Sequence, residues 1–385
     1  MSAQRHNRPF PAFTLFFPAA ALLAAAAAGV KVADYTGVSA PPIIAHMSYW
    51  HGHEMVFGYA LAVVGGYLFT RMSRALALGL LFAWLCVRLA FLIPGIPPVV
   101  VAAVALAFPV FLFVFGGLPF VKAAKSWSNA MFGPIIASFF VAELLYQLGA
   151  LRLVEGGEER GLVVGIDTVS LLLFAMGGRI IAAATSGALQ RKGIRLITPA
   201  QPQWERAGVI CLFLMVLADF SDAGKTVAGA FAGVAAIITM VRLVKWRFWS
   251  VLGTPEVSLL HLGYTWLGSG FAIKASAQIA GMPGLFDALH GVAVGALGTL
   301  TLAMMTRATL QRNRETIRLP GTVLVCTGMI SIAAVCRLLA AFPDIRFMMM
   351  QWAAVFWLGA FLLFAWWLFS ARCGQRNGSV SRPAS

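Results

Sequence analysis

Charge is what this chain has least of. Of its 385 residues, 11% are charged and only 14 are acidic, where a soluble protein carries roughly 25% charged residues. With 60% hydrophobic residues and a mean hydropathy of +0.84, that scarcity excludes an ordinary soluble domain. Cysteine is also sparse: Cys86, Cys211, Cys326, Cys336 and Cys373, with no CxxC pair. A disulfide framework and a cysteine-based structural zinc site are therefore not expected. The first four lie in apolar segments and read as small hydrophobes. A CxxCH haem-attachment motif, a glycine-rich phosphate loop and a nucleophile elbow are all missing. Any haem is thus held without a covalent link.

What is present is apolar length. Many windows exceed the ~18 residues that suggest a spanning helix. The pattern predicts an all-α, polytopic membrane protein of about twelve transmembrane helices, over 11–31, 49–70, 75–94, 98–122, 129–149, 161–185, 204–220, 225–245, 255–280, 285–306, 319–341 and 348–370. Residues 1–10 form a cytoplasmic N-terminus, 11–370 the transmembrane domain and 371–385 a basic cytoplasmic tail. The alanine-rich run Ala20 to Gly29 follows Arg5 and Arg8 in the outline of a signal peptide; without a clear cleavage site it reads as the first helix. Ser48 is a candidate cap for the second helix, and Thr254-Pro255-Glu256 for the ninth.

The net charge of +15 does not call for nucleic acid, because cytoplasmic loops of membrane proteins collect Lys and Arg. Basic loops hold Arg71 and Arg74; Lys122 and Lys125; Arg191, Lys192 and Arg195; Arg242, Lys245 and Arg247; Arg312, Arg314 and Arg318. They alternate with less basic ones that hold Glu155, Glu158 and Glu159, then Asp219 and Asp222, then Asp287. Both termini are then cytoplasmic. His51, His53 and His290 fall near the outer face, His46 just before them, and His261 about 9 Å from the inner end of the ninth helix at a rise of 1.5 Å per residue. Helices two, six and ten each carry an inner-end arginine, at Arg71, Arg179 and Arg307, and Arg88 and Arg337 precede Pro94 and Pro343 by the same spacing. Three four-helix units are one reading; loop anchoring plus chance is the other.

The run His51-Gly52-His53-Glu54-Met55 is the richest in chemistry. Ionisable side chains are costly in hydrocarbon, so their clustering there marks a functional site by default. His and Met are haem and copper ligands. On a regular helix His51, Glu54 and Met55 share a face, whereas His53 stands about 200° from His51. Both histidines reach one metal only if the helix start is irregular. His46 joins His53's face if the helix begins early. The bland alternatives are an interfacial histidine capping the helix, Glu54 as a charge near a helix start and Met55 as packing. Otherwise Glu54 orients an imidazole.

His290 precedes Gly291 and Gly295, a GxxxG spacing that lets a helix or a flat macrocycle approach the backbone. His261 ligates a metal or pins two helices. Guanidinium groups suit carboxylates: Arg179 and Arg307 suit the propionates of a haem at His261, or anchor loops. Arg88 and Arg337 serve the outer site or pair with a buried acid. Glu143 and Asp167 are such acids, and proton relay is their other role. Met348-Met349-Met350 is an apolar helix start or a thioether copper port.

Four stretches resemble the NnrS family of bacterial haem- and copper-containing membrane proteins. They are Trp50 to Tyr59 (WHGHEMVFGY), Gly177 to Ile181 (GGRII), Leu260 to Tyr264 (LHLGY), and Ala288 to Val294 (ALHGVAV), continuing to Arg307. One departure is Ala182-Ala183-Ala184, where the family pattern has a proline. The resemblance implies an inner-membrane protein binding haem and copper, with nitric oxide or metal-nitrosyl species and membrane lipid as partners, acting in protection from nitrosative stress. It implies ligation by His51, His53, His261 and His290, with Glu54 supporting. A metal or haem transporter and a quinol-linked oxidoreductase are the rival expectations.

Overall fold

A computed structural model describes residues 10–35, 49–70, 72–124, 126–221, 224–282, 284–312 and 318–378. His46 and Ser48 lie outside the described residues, as does Arg71. Among the described residues the chain is helical and without strands. Twelve long helices follow one another: α1 Phe13–Tyr35, α2 50–68, α3 Arg74–Leu92, α4 Pro98–Lys122, α5 Phe132–Ala150, α6 Gly157–Arg191, α7 Pro202–Ala218, α8 Lys225–Lys245, α9 Pro255–Ala280, α10 Leu285–Arg312, α11 Gly321–Leu339 and α12 Arg346–Gly378. Nine of these are long and apolar enough to cross a membrane; the exceptions are α2, α7 and α9.

Local chemistry sets several ends. Ser73 Oγ accepts from the Leu76 backbone N–H and caps α3. Proline stands in the first turn of α4, α7 and α9, where its missing N–H costs nothing. Thr254 precedes α9 as expected, but its side chain makes no capping bond; its carbonyl instead accepts from the Val257 and Ser258 N–H groups. Gly281, at φ +72°, closes α9 in the left-handed conformation that glycine adopts without steric cost.

Four helices widen into a π-helical stretch: α2 at Glu54–Ala60, α4 at Phe113–Gly117, α6 at Leu173–Gly177 and α10 at Gly291–Ala296. Such stretches are rare and gather at functional sites. Three of them fall in the helices whose sequence carries HGHEM, Gly-Gly-Arg and His290.

The residues divide into two compact units, Met1–Leu162 with Phe361–Ser385, and Val163–Ala360. In the first, α1 packs on α2, α3 on α4 and α4 on α5. In the second, α7, α8 and α9 pack in succession, α9 packs on α10, and α10 on α11. Both units bury ionisable groups within largely apolar interiors and expose large apolar side chains: His53, Glu143, Lys274 and Arg242 are buried, while Phe82 is 67% and Ile237 65% exposed. That exposed apolar rim fits a lipid surround.

The GxxxG pair on α10 serves helix packing. Gly291 lies against the Gly270 backbone of α9, and Gly295 against the Trp266 ring, where an added Cβ would sit 2.6 Å from a ring carbon. Gly270 is as tight, with its Cβ position 2.8 Å from the Val292 backbone nitrogen. Gly270→Leu is therefore expected to force α9 and α10 apart and lower the thermal midpoint by several degrees, whereas Gly328→Ala, on open surface, shifts it little. Equal midpoints for the two variants would refute that packing.

Candidate functional site

In the first unit the HGHEM run supplies a buried charge network. Trp50–His53 is ordinary α-helix, and the π-helical stretch starts at Glu54. His53 is fully buried. Its ring is walled by Phe57, Phe91 and Tyr146, with centroids 5.1, 4.8 and 4.7 Å away. Both ring nitrogens face carboxylates: Nε2 lies 2.9 Å from Glu143 Oε1 and Nδ1 3.2 Å from Glu54 Oε1. Arg88 Nε donates to Glu54 Oε2 at 2.8 Å, its Nη1 donates to the Trp84 carbonyl at 2.9 Å, and its guanidinium lies over the Trp84 ring. Gln147 Nε2 donates to Glu143 Oε1 at 2.7 Å. Glu143 Oε2 and the Tyr146 hydroxyl, three residues apart on α5, are buried and lack a partner among the described residues.

The arrangement passes or shares a proton readily, since a proton on either imidazole nitrogen has an acceptor. Metal ligation by His53 requires it to give up one carboxylate. Glu54 holds His53 and Arg88, and Arg88 takes its acid-paired alternative. His51 points elsewhere, as the spacing predicts, with Nδ1 3.2 Å from the Ala27 carbonyl of α1. Met55 packs with the apolar cluster of Ala27, Trp50, Val87, Phe91 and Ala105.

The second unit holds the other candidates. His261 is buried against Trp246, its Nε2 lies 2.9 Å from Thr185 Oγ1, and its Nδ1 is buried without a partner among the described residues. When Nε2–H donates to that hydroxyl, Nδ1 carries the lone pair. His290 Nδ1 meets the Phe286 carbonyl one turn back. A carbonyl only accepts, so Nδ1 of His290, like Nδ1 of His51, carries a proton, and in the neutral ring Nε2 then holds the lone pair. This is how a metal-ligating histidine is commonly oriented. Arg179 Nε donates to Glu205 Oε1 at 3.2 Å, and Arg307 is half-buried on α10. Arg337 donates to Asp287 at 2.8 Å, again its acid-paired alternative. Met348 is 48% exposed at the start of α12.

Two buried cations stand outside the sequence expectations. Lys274, in α9, donates to Asp167 of α6 and, at 2.8 Å, to Asp219 just past the end of α7. Gln278 Nε2 completes the group, donating to Asp219 at 2.6 Å. A sequence signal for it exists: a lone lysine deep in an apolar helix is costly unless paired. The second is Arg242, 1% exposed on α8. Its Nη1 donates to the Tyr264 hydroxyl at 2.9 Å, and the guanidinium lies over Phe174 at 4.8 Å and Trp246 at 4.9 Å. Its sequence neighbours make it look like a loop cation, because charge sign alone does not separate a buried arginine from an anchoring one.

The donor set suits a haem iron held by a single imidazole better than a preformed metal cage. His261 offers a buried ring nitrogen without a partner among the described residues, and His51 and His290, when neutral, leave Nε2 as the lone-pair nitrogen. Among the described residues no group of three or more His, Cys, Asp or Glu side chains is placed to hold a metal ion.

A family model described as NnrS protein matches residues 11–376. No curated protein matches the chain.

Proposed function

Because the chain belongs to the NnrS family, we propose that it is a haem-binding membrane protein of the nitric oxide response that protects the cell from nitrosative stress. Its place is the bacterial inner membrane, with α2, α7 and α9 completing twelve spans and both termini in the cytoplasm. The observation that carries the haem reading is the buried Nδ1 of His261, which has no partner among the described residues and carries a lone pair when Nε2–H donates to Thr185. His51 and His290 are the further candidate ligands. A bound haem supplies an iron able to take up nitric oxide. The protein's own part is to orient imidazoles through Thr185, Ala27 and Phe286 and to exclude water with the aromatic walls. In the first unit His53 holds a proton between Glu54 and Glu143. Copper, which the resemblance also implies, finds no preformed group of three donors among the described residues; one or two imidazoles are its candidate partners.

The test is haem per polypeptide in purified protein, read from the Soret band and iron analysis. His261→Ala and His290→Ala are each expected to lose half or more of the haem. Unchanged haem in both variants removes them as essential ligands, and a colourless, iron-free wild type that still protects cells refutes the proposal.

A transporter is the second reading, favoured by Lys274 between two buried carboxylates, as in carriers that couple charge to transport. A pigment-free protein that moves metal into proteoliposomes would establish it.

A further inference from the structure

Arg242 is a buried cation that meets no carboxylate among the described residues. Four other cations drawn inward each meet an acid: Arg88 meets Glu54, Arg179 meets Glu205, Lys274 meets Asp167 and Asp219, and Arg337 meets Asp287. Arg242 is more deeply buried than Arg88, Arg179 or Arg337. Its hydrogen-bond acceptor among the described residues is a phenol, Tyr264. Its Nε–H is buried with no acceptor there.

The surroundings are built around the guanidinium. Phe174 of α6 and Trp246, just past the end of α8, lie over it, with the Tyr264 ring of α9 centred 5.8 Å away. Gly178, in the Gly-Gly-Arg stretch, leaves it room: a Cβ there would stand 2.6 Å from Nη2 and 2.9 Å from Cζ. The aromatic faces return part of the cost of burying a cation. They do nothing for the in-plane N–H groups, which need acceptors. A guanidinium left with an unsatisfied donor in a water-poor interior is costly, and Glu205 is engaged by Arg179.

We propose that Arg242 is the anchor of an anion site that takes a carboxylate or a small planar oxyanion in the plane of its guanidinium. The fork matches two oxygens of such a group side by side, and the rings fix the plane and keep water out. The anion has two sources of the same chemistry. One is a carboxylate on a bound macrocycle, which is near at hand because Trp246 touches both Arg242 and His261; this source rests on the haem reading above. The other is a free anion, which does not.

The experiment uses the full chain in detergent micelles, as wild type, Arg242→Lys and Arg242→Gln. Its two readouts are haem per polypeptide and the thermal midpoint during titration with sodium formate or sodium nitrite at fixed ionic strength. If the ligand is the macrocycle carboxylate, both variants lose haem several-fold while the wild-type midpoint ignores the added anions. If the ligand is a free anion, the wild-type midpoint rises and saturates, and Arg242→Lys, which keeps the charge but loses the fork, needs about tenfold more anion for the same rise. A haem-free wild type that still responds to formate or nitrite refutes the haem reading and keeps this one. A wild-type midpoint indifferent to both anions, with unchanged haem in Arg242→Lys, overturns the proposal and leaves Arg242 as a pin between aromatic faces.

Discussion

Lys274→Met should be the most damaging single substitution in the second unit. The lysine is the cation between Asp167 and Asp219, and all three side chains are almost fully buried. Removing it leaves two carboxylates in a medium where an uncompensated charge costs about 3–5 kcal/mol. The expected result is loss of folded, monodisperse protein, read by size-exclusion chromatography and thermal denaturation in detergent. Asp167→Asn should be mild by comparison, because Lys274 keeps Asp219 at 2.8 Å and sheds the excess negative charge. Lys274→Met combined with Asp167→Asn and Asp219→Asn should recover most of the loss, since neutral amides no longer repel. A Lys274→Met protein as stable as wild type would show that the trio is not held as a charge network.

Glu54→Ala should cost about as much in the first unit, on the order of 3 kcal/mol. It removes the acceptor from Arg88 and from His53 Nδ1 together. Arg88 keeps only the Trp84 carbonyl and ring face. Adding Arg88→Met should restore part of the stability, and the double-mutant cycle measures the pair's coupling directly. If Glu54 served only a metal, Glu54→Ala would change metal content and leave the thermal midpoint where it was; that result would refute the network.

The helices are legible in the pattern of apolar residues. The ranges 98–122, 225–245 and 255–280 coincide with α4, α8 and α9, and the other nine predicted segments overlap their helices within a few residues at most ends. The divergence of His51 and His53 is legible too, because it follows from helix geometry alone. The pairing of Arg88 and Arg337 with acids is one of two sequence readings, since a buried arginine needs an anion but its sequence position does not name one. Glu143 reads as a buried acid, but nothing near it in sequence points to His53, 90 residues away. Lys274 and Asp167 are 107 residues apart. The π-helical start at Glu54 has no local signal. The GxxxG of α10 leaves two occupants open, and the backbone of α9 is the one found.

By itself, the sequence determined a helical chain suited to lipid and the family to which it belongs. A helix satisfies its own backbone, so apolar length and loop charge are local sums that need no partner. Only the tertiary structure decided which ionisable groups share a charge. That choice depends on which helix faces meet, and a buried ion is tolerated only where a neighbour from elsewhere in the chain arrives within about 3 Å. His53 between two carboxylates, Lys274 between two more and Arg242 among aromatic rings are results of packing.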